Sequence, residues 1–297
     1  MSDEQKWLPH ESVTFGVDES QLKIKSDKVS VLCRGTSLGE INKLPICDTT
    51  ILVNSFQNEL KIKDISNYVK QHESVIHITS VQCQSFGMYD EDLYSKYNFK
   101  KMVLPYVKEC SPKIYKLRDG DPKRCVGFNK LYVHEYGVAI PIEESWIYKV
   151  RNFNSIDMIS QDSNGEAYIN MFLPVENMSD KNKEDMITTK RYKYTSPTSG
   201  MDSILYAVND LNAKELFIIG LDFYDGVGYL TNSFGQKPAD TKTAIDRGED
   251  PDDMKSFFYN FVKKHKDVKF TIFTKSEIRK DIKNLDVHII PKKGRLE

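Results

Sequence analysis

Two stretches of the chain combine residue types that bind a charged ligand. A Thr-Ser-Gly turn at 198–200 stands immediately before a helical pattern, and backbone N–H groups at the start of a helix attract anions. After an apolar run, a polar and aromatic cluster follows where a strand is expected to end, namely Asp222, Phe223 and Tyr224. This order predicts a ligand site at the carboxyl end of a strand in an open α/β sheet.

A second strand-turn unit near the N-terminus has a similar form. An apolar run ends at Cys33, and Arg34 and Gly35 open a turn that leads to Ser37. An arginine in such a turn suits a phosphate, because its guanidinium donates paired hydrogen bonds to the phosphate oxygens. A solvated surface charge is the alternative for Arg34, and the sequence leaves both interpretations open.

The elements that must position these turns follow from hydrophobic periodicity. Apolar, β-branched runs predict strands at 28–33, 49–53, 75–79, 216–220 and, as the last strand, 268–273. Helical spacing predicts helices at 36–43, at 62–69, at 202–211 and after a cap at Asp252 or Asp253. Alternating strands and helices predict a doubly wound, mainly parallel, Rossmann-like α/β sheet.

The domain organisation expected from this pattern is simple. Residues 1–27 are polar and irregular and are expected to form an N-terminal arm, and residues 28–297 a single α/β domain. The long, charged segment of about 229–251 has little periodicity, which favours a lid over the site.

Composition narrows the class of protein. The 297 residues carry a net charge of −1, which gives no general argument for nucleic acid. The 5 cysteines are dispersed without a CxxC pair, the 6 histidines lack metal-ligand spacing, and the polar start predicts no signal peptide. Together with the absence of a long apolar run, these features favour a cytoplasmic protein without a membrane span.

Four segments resemble, in order and separation, motifs of the sialyltransferases, especially the bacterial CMP-sialic acid enzymes of glycosyltransferase family 42. They are Gly35-Thr36-Ser37-Leu38, the second predicted strand ending at Asn54, Thr198-Ser199-Gly200, and Gly220-Leu221-Asp222-Phe223-Tyr224. The resemblance covers residues 28–56 and 195–275 and leaves the middle third of the chain unmatched.

The resemblance implies a sialyltransferase-like fold and a metal-independent, inverting glycosyltransferase that uses a CMP- or UDP-linked sugar and no other cofactor. It implies that Gly35, Ser37 and Asn54 lie against the nucleotide and its phosphates. Thr198, Ser199 and Gly200 would contact the sugar and its carboxylate. Asp222, Phe223 and Tyr224 would hold the cytidine and ribose, and Tyr229 would stabilise the leaving phosphate together with Arg34, which stands where the family usually has Asn.

The general base departs from the family pattern. Where the family has a His before the helix that follows the lid, this chain has Gly248 among carboxylates. Asp246, Glu249 and Asp250 are the candidates for that base, since carboxylates serve this role widely. Loss of the base is the alternative, and it would leave a non-catalytic nucleotide- or glycan-binding protein.

The acceptor is open between a glycan or lipopolysaccharide and a hydroxymethylated base of DNA. Lys190, Arg191 and Lys193 alternate with tyrosines, a combination that meets phosphate-rich acceptors and nucleic acid, although a solvated loop is the default. Asp119-Gly120-Asp121 has the Asp-x-Asp form of metal-dependent glycosyltransferases, but Lys116 and Arg118 precede it. A charged turn is the better interpretation, and we expect no metal. The sequence carries no signal for an oligomeric state.

Overall fold

The chain forms two compact units in the computed structural model. One unit combines Ile24–His77 with Ser196–Glu297, and the other combines Met1–Lys23 with Ile78–Thr195. Side chains are described for residues 24, 26–54, 56–78, 96–100, 198–225, 228–231 and 250–291, and further strands by their backbone. Residues 78–195 group with the N-terminal residues, and the division into an arm at 1–27 and one domain at 28–297 stays a prediction.

The strands alternate with helices in the first unit. In chain order the strands are β1 (Thr14–Gly16), β2 (Lys28–Leu32), β3 (Thr49–Val53), β4 (Ser74–Ile78), β5 (Phe99–Pro105), β6 (Tyr115–Lys116), β7 (Arg124–Phe128), β8 (Lys130–His134), β9 (Gly137–Pro141), β10 (Ser145–Lys149), β11 (Ile159–Gln161), β12 (Ala167–Ile169), β13 (Glu215–Ile219), β14 (Lys269–Thr274) and β15 (Leu285–Ile289). The helices are α1 (Lys63–Lys70), α2 (Ser199–Asn209) and α3 (Pro251–Lys264), with 3-10 helices at Thr36–Lys43 and Glu59–Lys61.

The sheet of the first unit has the strand order β4-β3-β2-β13-β14-β15. The pairs β3–β2, β2–β13, β13–β14 and β14–β15 are all parallel. The chain therefore builds outward from β2 on one side and then returns to build outward from β13 on the other. This is the doubly wound order of a Rossmann-like α/β fold, and its switch point lies between β2 and β13.

Burial explains why these segments are strands and helices. β3 is buried along its whole length, and β2 is buried from Val29 to Leu32, as strands covered by helices on both faces require. In α3 the buried side chains recur with helical spacing, as the sequence predicts: Met254, Phe257, Phe258, Phe261 and Val262. The predicted strands of this unit are thus confirmed within one or two residues.

Two sequence predictions about the C-terminal part are wrong. The cap of α3 is Asp250 rather than Asp252 or Asp253, because Pro251 lacks an N–H and suits the first helical position. The strand at 269–274 is followed by a further strand, β15, which continues the parallel sheet. Within β15 only Leu285 is buried, but Leu285, Val287 and Ile289 alternate with polar residues, a strand pattern that the sequence prediction overlooked.

The second unit contains mainly antiparallel pairs. β8 pairs with β9 and β9 with β5, both antiparallel, whereas β1 pairs with β8 in parallel. The pairs β7–β10, β11–β12 and β12–β6 are also antiparallel. Across the described portions of both units, the helices are too short or too polar to traverse a lipid bilayer.

Candidate functional site

The turn after β2 fits only a glycine at position 35. The N–H of Gly35 donates to the carbonyl oxygen of Gly220 over 2.8 Å. A Cβ on Gly35 would lie 2.5 Å from that oxygen and 2.5 Å from Oδ2 of Asp222, closer than any side chain tolerates. The loops after β2 and β13 therefore meet at the switch point, where open α/β sheets bind ligands.

Gly220 also requires the absence of a side chain. Its φ is +79°, and a Cβ there would lie 2.0 Å from the carbonyl oxygen of Cys33. The close backbone approach explains why the strand β13 is followed by glycine at this point. Phe223 and Tyr224, which directly follow Asp222, also have positive φ values of 47° and 52°. The predicted Asp-Phe-Tyr cluster is therefore a tight turn in the left-handed region.

Asp222 fastens the ends of three parallel strands together. Its Oδ2 accepts the N–H of Ser37 over 2.9 Å, in the turn after β2. Its Oδ1 accepts the N–H of Lys275 over 2.9 Å and lies 3.1 Å from the hydroxyl oxygen of Thr274, both at the end of β14. Asp222 is only 4% exposed, so its observed contacts are internal.

The side chain of Ser37 belongs to the same hydrogen-bond network. The Ser37 hydroxyl oxygen accepts the N–H of Gly220 over 2.9 Å, and the residue is fully buried. Phe223 is also internal, since it is 2% exposed and packs against Phe258 with ring centroids 5.7 Å apart. The nucleotide-binding roles of Asp222, Phe223 and Ser37 stay predictions, and Tyr224 is the half-buried member of the cluster.

The N-terminus of α2 lies beside the same turns. The hydroxyl of Thr198 caps the helix by accepting the N–H of Met201, at 3.4 Å. A Cβ on Gly200 would lie 2.9 Å from Sγ of Cys33 and 3.3 Å from Cδ1 of Leu221. The small residue therefore lets the first turn of α2 approach the loops after β2 and β13. Ser199 and Thr198 are half-buried at this end of the helix.

The side chain of Cys33 is buried beside these turns and is chemically unreactive. Burial raises the pKa of its thiol far above the ordinary value, and the nearby Asp222 carboxylate raises it further. The thiol therefore stays protonated at neutral pH and is no nucleophile.

Asn54 stands at the carboxyl end of β3 in an uncommon backbone conformation. Its φ is 56°, and its carbonyl oxygen accepts a hydrogen bond from Nε2 of His77. Burial lowers the pKa of His77 to about 4, so the ring is neutral near pH 7 and carries its proton on Nε2. His77 thus positions the backbone of Asn54.

Arg34 lies in a buried ion pair. Its Nε–H donates to Oε1 of Glu59 over 2.9 Å, and the two side chains are 5% and 0% exposed. The sequence prediction of a phosphate contact at Arg34 is not tested by this geometry, but the Nε–H already has an internal partner. Glu59 was not predicted, although it belongs to a polar run that follows β3.

The same ion pair fixes the first residues of the expected lid. The guanidinium of Arg34 lies 4.7 Å from the ring centroid of Tyr229, a cation–π distance. The N–H of Leu230 donates to the carbonyl oxygen of Arg34 over 2.8 Å, and Tyr229 forms an antiparallel bridge with Gly35. Thr231 donates its hydroxyl proton to Glu59 over 2.6 Å. Tyr229 therefore lies beside the turn after β2, and its contact with a leaving phosphate stays a prediction.

The candidate bases have different outcomes. Asp250 is half-buried, and its Oδ1 accepts the N–H of Asp252 over 2.8 Å as the cap of α3. Lys255 of that helix pairs with Asp225 over 3.3 Å, which ties the start of α3 to the loop after Tyr224. Asp246 and Glu249 lie outside the described residues, as do the Lys190, Arg191 and Lys193 run and Asp119-Gly120-Asp121.

A search for metal ligands and comparisons with known proteins both gave negative results for the residues they covered. In the part of the chain that the structure describes, no group of 3 or more His, Cys, Asp or Glu side chains is placed to hold a metal ion. Comparison with protein-family models, curated proteins and solved structures finds no match to this chain. The family resemblance therefore depends on the residues at the switch point alone.

Proposed function

We propose that this chain is a metal-independent, inverting glycosyltransferase that binds a CMP- or UDP-linked sugar at the switch point between β2 and β13. One observation carries the proposal. The two stretches that resemble the sialyltransferases, 185 residues apart, meet through the Ser37–Asp222 hydrogen bond at the edge where Rossmann-like sheets bind nucleotides.

The surroundings of this edge suit an anionic nucleotide. The N-terminus of α2 supplies the positive end of a helix dipole, which attracts an anion. The proposed donor contacts are those of the resemblance: Gly35, Ser37, Asn54, Thr198, Ser199, Gly200, Asp222, Phe223 and Tyr224. Tyr229 and Arg34 would face the leaving phosphate across the start of the lid.

The reaction would be a direct displacement at the anomeric carbon. The acceptor oxygen forms the new bond to that carbon while the bond from the carbon to the phosphate oxygen breaks, and the nucleotide leaves with the electron pair. A carboxylate of Asp246, Glu249 or Asp250 takes the acceptor proton. The acceptor is a hydroxyl of a glycan, of lipopolysaccharide or of a hydroxymethylated DNA base.

The test is a thermal-shift screen of the full chain with CMP, CDP, UMP, UDP and GDP, followed by hydrolysis of the matching nucleotide sugars. A nucleotide at a hundredfold excess over its Kd is expected to stabilise the fold by about 2.7 kcal/mol. If no nucleotide moves the melting temperature, the proposal is wrong.

A matched pair of variants locates the binding. Ser199→Ala removes a half-buried hydroxyl at the start of α2 and should weaken nucleotide binding roughly tenfold. Ser66→Ala removes a half-buried hydroxyl from α1 and should leave the affinity for the nucleotide unchanged. Equal affinities for the two variants would place the nucleotide elsewhere.

A nucleotide- or glycan-binding protein without turnover is the second candidate. The observation that favours it is the capping role of Asp250, whose carboxylate already accepts the backbone N–H groups of α3. Tight nucleotide binding with no hydrolysis or transfer of any CMP- or UDP-linked sugar would support this candidate over the enzyme.

A further inference from the structure

The segment between β3 and α1 contains buried polar atoms that have no partner among the described residues. Glu59 is fully buried, and among the described residues its Oε2 has no hydrogen-bond partner, whereas Oε1 accepts from Arg34 and Thr231. Gln57 is 8% exposed, and both atoms of its side-chain amide lack a partner in the described part of the chain. Oγ1 of Thr36, in the turn after β2, is also buried without a hydrogen-bond partner among the described residues.

These atoms belong to the switch-point edge of the sheet. Glu59 binds Arg34, which directly precedes the Gly35 turn, so its carboxylate lies against that turn. Gln57 stands two residues before Glu59 and three after Asn54, at the end of β3. Thr36 is the neighbour of Ser37, which binds Asp222.

Such unpartnered atoms point to a ligand. A buried polar group that loses water without gaining a hydrogen bond costs free energy, and proteins leave few of them in place. Met would fill the volume of Gln57 without that cost. A group of unpartnered atoms at the edge where the proposed nucleotide sugar binds is what a site looks like before its ligand supplies the missing bonds.

The chemistry of the three groups selects the ligand class. The carboxylate of Glu59, paired with Arg34, is only an acceptor, so its Oε2 needs a hydrogen-bond donor. The Gln57 amide offers one acceptor and two donors, and the Thr36 hydroxyl offers both roles. The hydroxyls of a sugar supply both donors and acceptors, which an ionised phosphate or an aliphatic group does not.

We propose that Gln57, Glu59 and Thr36 form a subsite for the vicinal hydroxyls of a sugar ring. The inference rests on the proposed function and specifies part of it: the ring is either the ribose of the nucleotide or the transferred sugar. Gln57 and Thr36 supply specificity, and the Arg34 pair holds the Glu59 carboxylate in place.

The test uses Gln57→Met in the full chain. Without ligand, this variant should raise the melting temperature by about 2–4 °C, because it removes two unpartnered polar atoms. With ligand, it should lose roughly tenfold or more in affinity or KM, because the hydroxyls lose their partner. Thr49→Val is the matched control, since it removes an unpartnered buried hydroxyl at the opposite end of β3 and should leave binding unchanged.

The probes distinguish the two rings. If the ribose binds here, the unaltered chain should prefer the best nucleotide over its 2′,3′-dideoxy analogue, and Gln57→Met should erase that preference. If the transferred sugar binds here, Gln57→Met should bind the nucleotide normally but hydrolyse the nucleotide sugar with a raised KM. Either result supports the subsite.

Other results overturn it. Unchanged binding of nucleotide, analogue and nucleotide sugar by Gln57→Met refutes the subsite alone, whereas failure of every nucleotide to bind the unaltered chain refutes the proposed function as well. A lower melting temperature without a binding defect would mean that ordered water satisfies Gln57. Thr36→Val repeats the binding comparison if Gln57→Met does not fold.

Discussion

The backbone N–H of Ser37 donates to the carboxylate of Asp222 over 2.9 Å, across a sequence separation of 185 residues. This bond joins the turn after β2 to the loop after β13, on the two sides of the switch point. Because Asp222 also accepts the N–H of Lys275, one buried carboxylate holds the ends of β2, β13 and β14 in register. Ser37 and Asp222, which belong to the sialyltransferase-like stretches, are thus also the residues that connect these strand ends.

The dual position of Asp222 leads to a prediction about Asp222→Asn. The amide has one oxygen where the carboxylate has two, so its NH2 group would face either the N–H of Ser37 or that of Lys275. We expect a loss of about 1–3 kcal/mol in the free energy of unfolding, measured by urea denaturation. Asp225→Asn, at a partly exposed ion pair, should cost less than about 1 kcal/mol. Full stability with a selective loss of nucleotide binding would mean that the carboxylate serves the ligand instead.

The glycines of the two turns should tolerate alanine very differently from a neighbouring glycine. Gly220→Ala would force a methyl group to 2.0 Å from the carbonyl oxygen of Cys33 at a φ of +79°. A destabilisation of about 3 kcal/mol or more is expected, at the upper end of overpacking costs. Gly39→Ala is the control, since its Cβ would lie 3.5 Å from Leu230, an ordinary contact. Thermal unfolding of the two variants side by side checks this, and equal melting temperatures would contradict the close approach.

The sequence predicted most of the sheet because buried parallel strands are continuous apolar runs, as at 49–53. The glycine turns were also predictable, since small residues follow each strand. Edge strand β15 could also have been predicted, because Leu285, Val287 and Ile289 alternate with polar residues, but this signal was overlooked. The buried charges could not be derived, because they depend on tertiary partners, whereas the Asp250 cap is local and Pro251 at the first helical position could have indicated it.

Glu59 shows that limit most clearly. Nothing in the run Gln57-Asn58-Glu59 distinguishes a solvated loop from a buried cluster. The burial of Glu59 is tolerated only because Arg34, 25 residues earlier, folds against it with a 2.9 Å hydrogen bond. The same reasoning explains why Arg34 looked like a free phosphate ligand in the sequence and has an internal partner in the fold.

His77 should make the stability of the fold depend on pH. Burial lowers the pKa of its ring to about 4, from an ordinary value of 6.5. Below pH 6.5 the unfolded chain takes up a proton that the folded chain refuses until about pH 4, so stability falls as the pH drops through this window. The loss at this site should be on the order of 3 kcal/mol.

His77→Gln checks this assignment, because glutamine keeps an N–H donor for the Asn54 carbonyl but takes up no proton. The free energy of unfolding, measured by urea denaturation between pH 4 and 7, should depend less steeply on pH in the variant. His72 is also buried with a lowered pKa, so His72→Gln should flatten the remaining slope in the same direction. If the slope of His77→Gln equals that of the unaltered chain, the ring of His77 is not a buried neutral group.

Asp250 is the one candidate base whose geometry is described, and its capping role can be separated from catalysis. Asp250→Ala should cost about 1 kcal/mol in stability, because Pro251 keeps its place but the N–H of Asp252 loses its acceptor. Asp250→Ser restores a capping oxygen and should recover most of that stability. It offers no carboxylate, so it should still lack turnover if Asp250 is the base.

The two readouts decide between cap and base. Urea denaturation measures the cap, and the rate of sugar transfer at saturating donor measures the base. If Asp250→Ser has normal stability and normal turnover, Asp250 is only a cap, and the proton must go to Asp246 or Glu249. If Asp250→Ser is stable, binds nucleotide normally and transfers no sugar, one carboxylate both starts α3 and accepts the proton, since a carboxylate has lone pairs for both.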